Sequence, residues 1–311
     1  MAGVQRDLTL IYEGVDITDQ VDIIECVHRD MSDCESDCLN LKLDHADKWF
    51  RWGPKKNDRL RVMRSSYDTG TLYLSAIAPE DGAYRIFATS AKSAAFPARW
   101  QSFEDKTLAA VMALCAGENG MGAKLYGVSG DLHYDYLLRQ NEGAGAFLNR
   151  LLGYEGAVLK ALDGNFTAIG IEWAQGISPM HQIELDSEQL DGKYTHRRYL
   201  GWTGVTIDTP FGKGSARDSG ATGQGVTISG LAVDNDAQAR RWAKGILLAH
   251  NRQSEILTIE MDFNPGYTAM VRADVSSRTD ANGAWIIESV EQNLLDGRTK
   301  ARMLRCVTTI A

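Results

Sequence analysis

The sequence predicts an α+β chain, mainly β, in which short-stranded units at both ends flank a mixed block of helix and strand. Three observations carry this. Apolar residues alternate through Leu8, Leu10 and Tyr12 and again through Leu39, Leu41 and Leu43, and a period of two marks half-buried strands. Strand patterns return after Gln175 and Gly176 and run to the C-terminus. Between them Leu108, Val111, Met112 and Cys115 recur at the spacing of a helix stripe.

In residues 1–92 the alternation continues through Leu60 and Val62, Leu72, Leu74 and Ala76, and Ile86 and Ala88. Turn signals at Glu13–Gly14, Gly53–Pro54, Asp68–Thr69–Gly70 and Asp81–Gly82 separate the runs. Short strands at this spacing with one wet face suit a small antiparallel barrel or sandwich.

The block 93–176 reads helix, strand, helix, hairpin. Asp105 stands where a carboxylate favours a helix N-terminus. Phe147, Leu148, Leu151 and Leu152 form a second stripe, stopped by Gly153 and Gly156, and Asp163–Gly164–Asn165 turns the hairpin.

In 177–311 strands resume, notably around Tyr199, Trp202 and Val205–Thr206–Ile207. Residues 211–225 are glycine-rich without apolar periodicity, so they are expected to form a flexible loop. A helix over 236–250 carries Ala239, Trp242, Ala243, Ile246 and Leu247 on one face and Arg240, Arg241 and Lys244 on the other. It is expected to pack on the second β unit. Strands over 256–263, 267–275, 285–294 and 300–308 complete the chain. Direct repetition between the two end units is not visible.

The net charge of the 311 residues is −8 and falls as −4, −3 and −1 over the three segments. No segment is a basic patch, which disfavours nucleic-acid binding driven by counterion release. The chain has no run of eighteen apolar residues and no basic, apolar start, so it is expected to fold in the cytoplasm. Its five cysteines are then expected as reduced thiols. Cys34 and Cys38, with His28 and His45 nearby, invite a zinc reading, but a second closely spaced ligand pair is missing.

Gly143–Ala144–Gly145 precedes a helix without the third glycine and lysine of a phosphate loop. Asp234–Asn235–Asp236 reads as helix capping rather than a cation site. His196, beside Arg197 and Arg198, is expected on a solvated strand face, and Glu104 and Glu172 lack the partner of an acid–base pair. With no nucleophile elbow and no His-Glu-x-x-His pair, the expectation is a non-enzyme with no catalytic, cofactor-binding or metal residue and no cofactor.

A further signal lies in the order of short pieces: Ser102–Phe103 and Thr107–Leu108, then Tyr136, Gln140–Asn141, Phe147–Leu148 and Leu151, then Gly156 and Asp163–Gly164. Ala239, Ala243 and Leu247, Asn264–Pro265–Gly266, Ala284 to Val290 and a last strand to Cys306 follow. In this order the chain resembles the late control protein D family, the central tail hub of contractile phages and related injection systems. The resemblance implies two tube-type antiparallel split β-barrels, at 1–92 and 177–311, flanking the mixed block 93–176. It implies a homotrimer adapting a six-fold tail tube above to a three-fold spike protein below. Baseplate wedge proteins would be further partners, and DNA or a tape measure would pass through the channel unbound. Such a protein is made in the host cytoplasm and assembled into the particle. A cell-wall hydrolase or effector domain, or a component of a non-contractile tail, is the alternative.

Overall fold

The computed structural model describes residues 7–32, 36–45, 53–80, 82–188, 190 and 193–311; Cys34 and Asp81 lie outside the described residues. The first segment forms β1 (Leu8–Tyr12), β2 (Val15–Asp16), β3 (Ile23–Met31), β4 (Cys38–Asp44), β5 (Arg59–Arg64), β6 (Tyr67–Asp68), β7 (Leu72–Glu80) and β8 (Ala83–Thr89). The middle segment forms β9 (Arg99–Thr107), α1 (Leu108–Gly117), β10 (Gly122–Tyr126), β11 (His133–Glu142), α2 (Ala144–Tyr154), β12 (Ala157–Leu162), β13 (Asn165–Gly170) and α3 (Ile171–Gly176). Then come β14 (His181–Glu184), β15 (Tyr194–Arg198), β16 (Gly204–Asp208), β17 (Lys213–Arg217), β18 (Gly225–Ile228), α4 (Asp236–Asn251), β19 (Glu255–Asp262), β20 (Arg272–Ser276), β21 (Gly283–Asn293) and β22 (Arg298–Arg305). The fold is mainly β, as the alternating patterns require, and among the described residues no helix is long and apolar enough to cross a membrane.

One sheet runs from end to end in the order β15-β19-β22-β21-β3-β4-β8-β7-β5-β1-β2, with β20 and β14 branching from β21. It contains the same unit twice. The neighbour order β3-β4-β8-β7-β5-β1 is repeated by β15-β19-β22-β21-β20-β14, and both sets follow the same order along the chain. Even the irregularities correspond: the β7–β8 register shifts between Leu74 and Ala76, and the β21–β22 register between Ile287 and Ser289. The units differ where β14 joins β20 in parallel but β1 joins β5 antiparallel.

Each unit curls over a core of its own. Leu8 and Leu10, Leu39, Leu41 and Leu43, Leu60 and Val62, and Ile86 and Ala88 form one buried cluster to which, among the described residues, no helix contributes. A sheet that buries one face without a covering layer must curl over it. Ile183, Leu257, Ile259, Trp285, Ile287 and Met303 do the same in the second unit. The bulges increase twist and bend their strands. In β21 the bend hands the strand over: Gly283–Ile286 pair with β20, and Ser289–Asn293 pair with β3 of the first unit.

The middle body has its own core, where α1 and α2 pack on β10, β12 and β13 through Val111, Met112, Phe147, Leu151, Leu159 and Phe166. Its hairpin turns at Asp163 and Gly164, both at positive φ, with Leu162 opposite Asn165, as a two-residue turn requires. Asp105 does not open the helix: it lies in β9, and Thr107 is the cap, accepting from the Ala110 amide at 3.3 Å.

Residues 211–225 are not a flexible loop. They carry β17, antiparallel to β16 over five residue pairs, and Gly225 opens β18. A Cβ at Gly214 would fall within 3.0 Å of the Ala239 and Arg240 backbone, so this glycine lets a strand lie directly against a helix. Nor does the apolar stripe of α4 pack on the second barrel, which the helix meets only at its end, where Leu248 shares a buried cluster with Met270 and Ile286. Ala239, Trp242, Ala243 and Leu247 join the middle core with Val205, Ile207 and Ala216. Residues 204–251 are thus an insertion between β15 and β19, the counterparts of β3 and β4, that folds onto the middle body.

Candidate functional site: a sheet face shared by two units

Cys34 lies outside the described residues, and the other metal candidates do not converge. His28 points inward, its Nδ1 2.6 Å from the Tyr67 hydroxyl, and burial pushes its imidazole down to about 4, keeping it neutral. Leu39 is its cross-strand partner, so Cys38, one residue away, faces the opposite side. His45 is exposed beside Asp44. The thiols of Cys26 and Cys115 are buried and pushed up to about 12, and that of Cys306 to about 11, so they stay protonated.

The other candidates serve packing. At Gly143 a Cβ would lie 2.8 Å from the carbonyl oxygens of Ala95 and Phe96. Asn235 is the cap of α4, accepting from the Gln238 amide at 3.0 Å, while Asp234 and Asp236 accept from the amides of Asp135 and Lys213. Glu172 pairs with Lys244 at 2.9 Å, and Glu104 is exposed on β9. His196 is not on a solvated face: it turns inward and packs edge-on against Trp285, centroids 5.7 Å apart, while Arg197 and Arg198 remain exposed.

What the strands do assemble is a polar face across both units. On the side away from the two cores, Glu260, Lys300, Glu291 and Arg29 stand in one cross-strand row over β19, β22, β21 and β3. Asp262, Arg298, Asn293 and Val27 form the next row. Opposite charges alternate along the first row and meet once, at Asp262 and Arg298, in the second. Arg29 bonds Glu291 at 2.7 Å, Arg298 bonds Asp262 at 2.8 Å, and Arg85 bonds Glu80 at 2.8 Å and Glu25 at 3.2 Å on the neighbouring strands. Over β15 to β3 this face is concave, enclosing a groove of about 1000 Å³ whose wall includes Arg197, Tyr199, Arg302 and Met31. A segment-by-segment charge count cannot find it, because each strand contributes only every second residue.

Beneath the junction of the two units lies a buried ionic cluster. Lys160, on β12 of the middle body, donates to Asp30 of β3 and to Asp37, 3.4 Å away. Asp30 also accepts from the Thr268 hydroxyl and from the Ala269 amide at 3.1 Å, both in the second unit. One ammonium therefore serves two carboxylates. Burial disfavours the charge of Asp30, but Lys160 and Thr268 outweigh it and hold this carboxyl below its usual range. Burial, with Asp30 alongside, pushes Asp37 up to about 7 in spite of Lys160. The cluster pins all three bodies together. Its sequence signal is a single lysine inside the apolar run Val158–Leu159–Lys160–Ala161–Leu162.

A second buried carboxylate, Glu155, accepts from Arg241 at 2.6 Å, from the Trp242 indole at 2.6 Å and from the Tyr134 hydroxyl at 2.8 Å. It fastens α4 to the end of α2.

No family model and no curated protein matches the sequence. Solved structures do. The chain is similar to a 43 kDa tail protein of prophage MuSo2 from Shewanella oneidensis, with a TM-score of 0.74 and 13% identity over 96% of this chain and 98% of that one. A tail protein from Neisseria meningitidis MC58 gives 0.73 and 12% identity over 96% of each chain. The Escherichia coli c3393 protein, a component of the type VI secretion system with structural similarity to the T4 tail proteins gp27 and gp5, gives 0.56 and 9% identity over 96% of this chain and 76% of that one. The fold of this chain is that of phage tail proteins and their type VI relatives.

Proposed function

We propose that this chain is a structural hub at the end of a contractile phage tail or related injection apparatus. Three copies form a ring in which six similar barrels match the six-fold tail tube above, while the ring's own three-fold axis matches a central spike below. The observation that supports this most directly is the duplicated unit: one chain carries two barrels with the same strand order on a single continuous sheet. The segments 1–92 and 177–311 supply the barrels, and 93–176, carrying the insertion 204–251, sits apart from their cores and contacts spike or baseplate wedge proteins.

The uncovered face lines the channel. DNA or a tape measure slides past it without specific binding: the pairs Arg29–Glu291 and Arg298–Asp262 neutralise their own charges across strands, while Lys193, Arg197 and Lys300 also line the groove and form no ion pair among the described residues. The mechanism asks for no catalytic group and no cofactor, and the protein works in the assembled particle after synthesis in the host cytoplasm.

Native mass measurement of the purified chain, followed by imaging of the particle, tests the reading. Three copies at the tube end, each with two barrels in the ring, are expected. Six copies, or one barrel per chain in the ring, would overturn it.

A further inference from the structure

The duplicated unit leaves one contact made inside the chain and its counterpart unmade. Past its bulge, β21 pairs with β3: Ser289 opposite Met31, Glu291 opposite Arg29, Asn293 opposite Val27. The counterparts follow from the ladders. Ala76 takes the place of Ser289 after the bulge, each one step beyond the matched pairs Leu74–Ala88 and Ile287–Met303. Leu39 and Leu257 match through those same partners, and His28 and His196 match through Leu39 and Leu257. Hence β7 past its bulge corresponds to the half of β21 that pairs outward, and β15 corresponds to β3.

Both counterparts have a free side. Among the described residues, Ala76–Glu80 pair with β8 alone and β15 pairs with β19 alone. Unpaired edges of this kind template pairing with another chain. We propose that Ala76–Glu80 of one copy pair antiparallel with β15 of a second copy of this chain, with Ala76 opposite Tyr199, Ala78 opposite Arg197 and Glu80 opposite Thr195.

Side chains agree with this register. Tyr199 is 56% exposed, and it would land beside Ala76 and next to Phe87, itself 39% exposed on the adjoining strand. Arg197, which forms no ion pair among the described residues, would stand diagonal to Glu80, whose carboxylate is already shared by Lys42 and Arg85 within its own unit. Pro79 lacks an amide on the open side, so it removes one ladder bond and leaves those of Ile77. A strand edge that accepts only a partner with the right chemistry at every second position is protected from indiscriminate pairing. The contact is heterologous, joining the first unit of one copy to the second unit of the next. It closes into a ring whose repeated contact is the one already made within the chain. The choice of strands stands on the duplication; the number of copies rests on the hub reading.

The test is disulfide trapping in the full chain. Ala78 and Arg197 would form a non-hydrogen-bonded pair with Cα atoms about 4.5 Å apart, inside the range a disulfide spans. Ala78→Cys and Arg197→Cys, prepared separately and mixed under mild oxidation, are expected to give a covalent dimer that neither variant gives alone. The double variant is expected to give closed trimers. Ala76→Cys with Tyr199→Cys should behave likewise, and the offset pair Glu80→Cys with Arg197→Cys should link about tenfold less. Unchanged melting of each variant confirms folding. A native trimer without either link overturns the strand pairing and leaves the hub reading intact. Preferred linkage of the offset pair overturns the register, and a chain that stays monomeric and unlinked overturns both.

Discussion

At the scale of single residues, charge position matters more than charge count. Arg240 and Arg241 look alike in the sequence, on the polar face of one helix. Arg240 is exposed, whereas Arg241 reaches back to Glu155, whose side chain is fully buried. Arg241→Ala is expected to cost about 2–4 kcal/mol, somewhat less than stranding a bare buried ion because Tyr134 and Trp242 still donate to Glu155. Arg240→Ala should stay within about 0.5 kcal/mol. Urea unfolding of the two variants separates them. The helix faces were legible from periodicity; the carboxylate one face reaches was not, because it comes from a helix end nearly ninety positions away.

Asp37 gives a second expectation at this scale. Its carboxyl lies among Lys160, Asp30 and the neutral His28, and it is raised to about 7 in the folded protein. A group raised above its unfolded value stabilises the fold in acid, and that contribution is lost as pH rises from about 4 through 7. Asp37→Asn should therefore flatten the decline in stability over this window. Thermal melting from pH 4 to 8 measures it, and an unchanged pH profile would show that Asp37 titrates normally.

At the scale of elements, glycine is where sequence reading and structure part. Helix propensity alone says that Gly245→Ala should stabilise α4 by about 1 kcal/mol. A Cβ there would fall within 3.0 Å of the Tyr154 carbonyl and the Gly156 amide nitrogen, so the helix would have to move off α2. Overpacking costs about 1–3 kcal/mol or more, and the net change is expected to be destabilising, read as a lower melting temperature. Trp242→Ala and Leu247→Ala should each cost about 2–5 kcal/mol, since both side chains are buried in the middle core. The strands of both units were legible because one wet face forces alternation. The strand β17 was not, since glycines that permit close approach look the same in sequence as glycines that permit motion.

At the scale of the whole molecule, the duplication was hidden although its parts were in view. His28–Arg29 and His196–Arg197 occupy equivalent positions, as do the strands Cys38–Asp44 and Glu255–Asp262. Their separation along the chain changes abruptly, because 204–251 is inserted between the second pair of strands and not the first. No fixed period survives, and what is conserved between units is hydrogen-bond order rather than residue identity. The bodies so joined meet at Lys160, and the last expectation belongs there. Lys160→Met removes the only cation bonded to Asp30 and Asp37 among the described residues and leaves two buried carboxylates facing each other. Breaking a buried ion cluster by deleting one member costs about 3–5 kcal/mol. Because the cluster links the middle body to both barrels, the loss should also loosen their coupling, so that calorimetry resolves two transitions where the parent shows one. Adding Asp30→Asn and Asp37→Asn to Lys160→Met removes the stranded charges and should recover part of the stability. If Lys160→Met alone melts as one transition at the parental temperature, the three bodies are held by their apolar contacts and the cluster contributes nothing to their union.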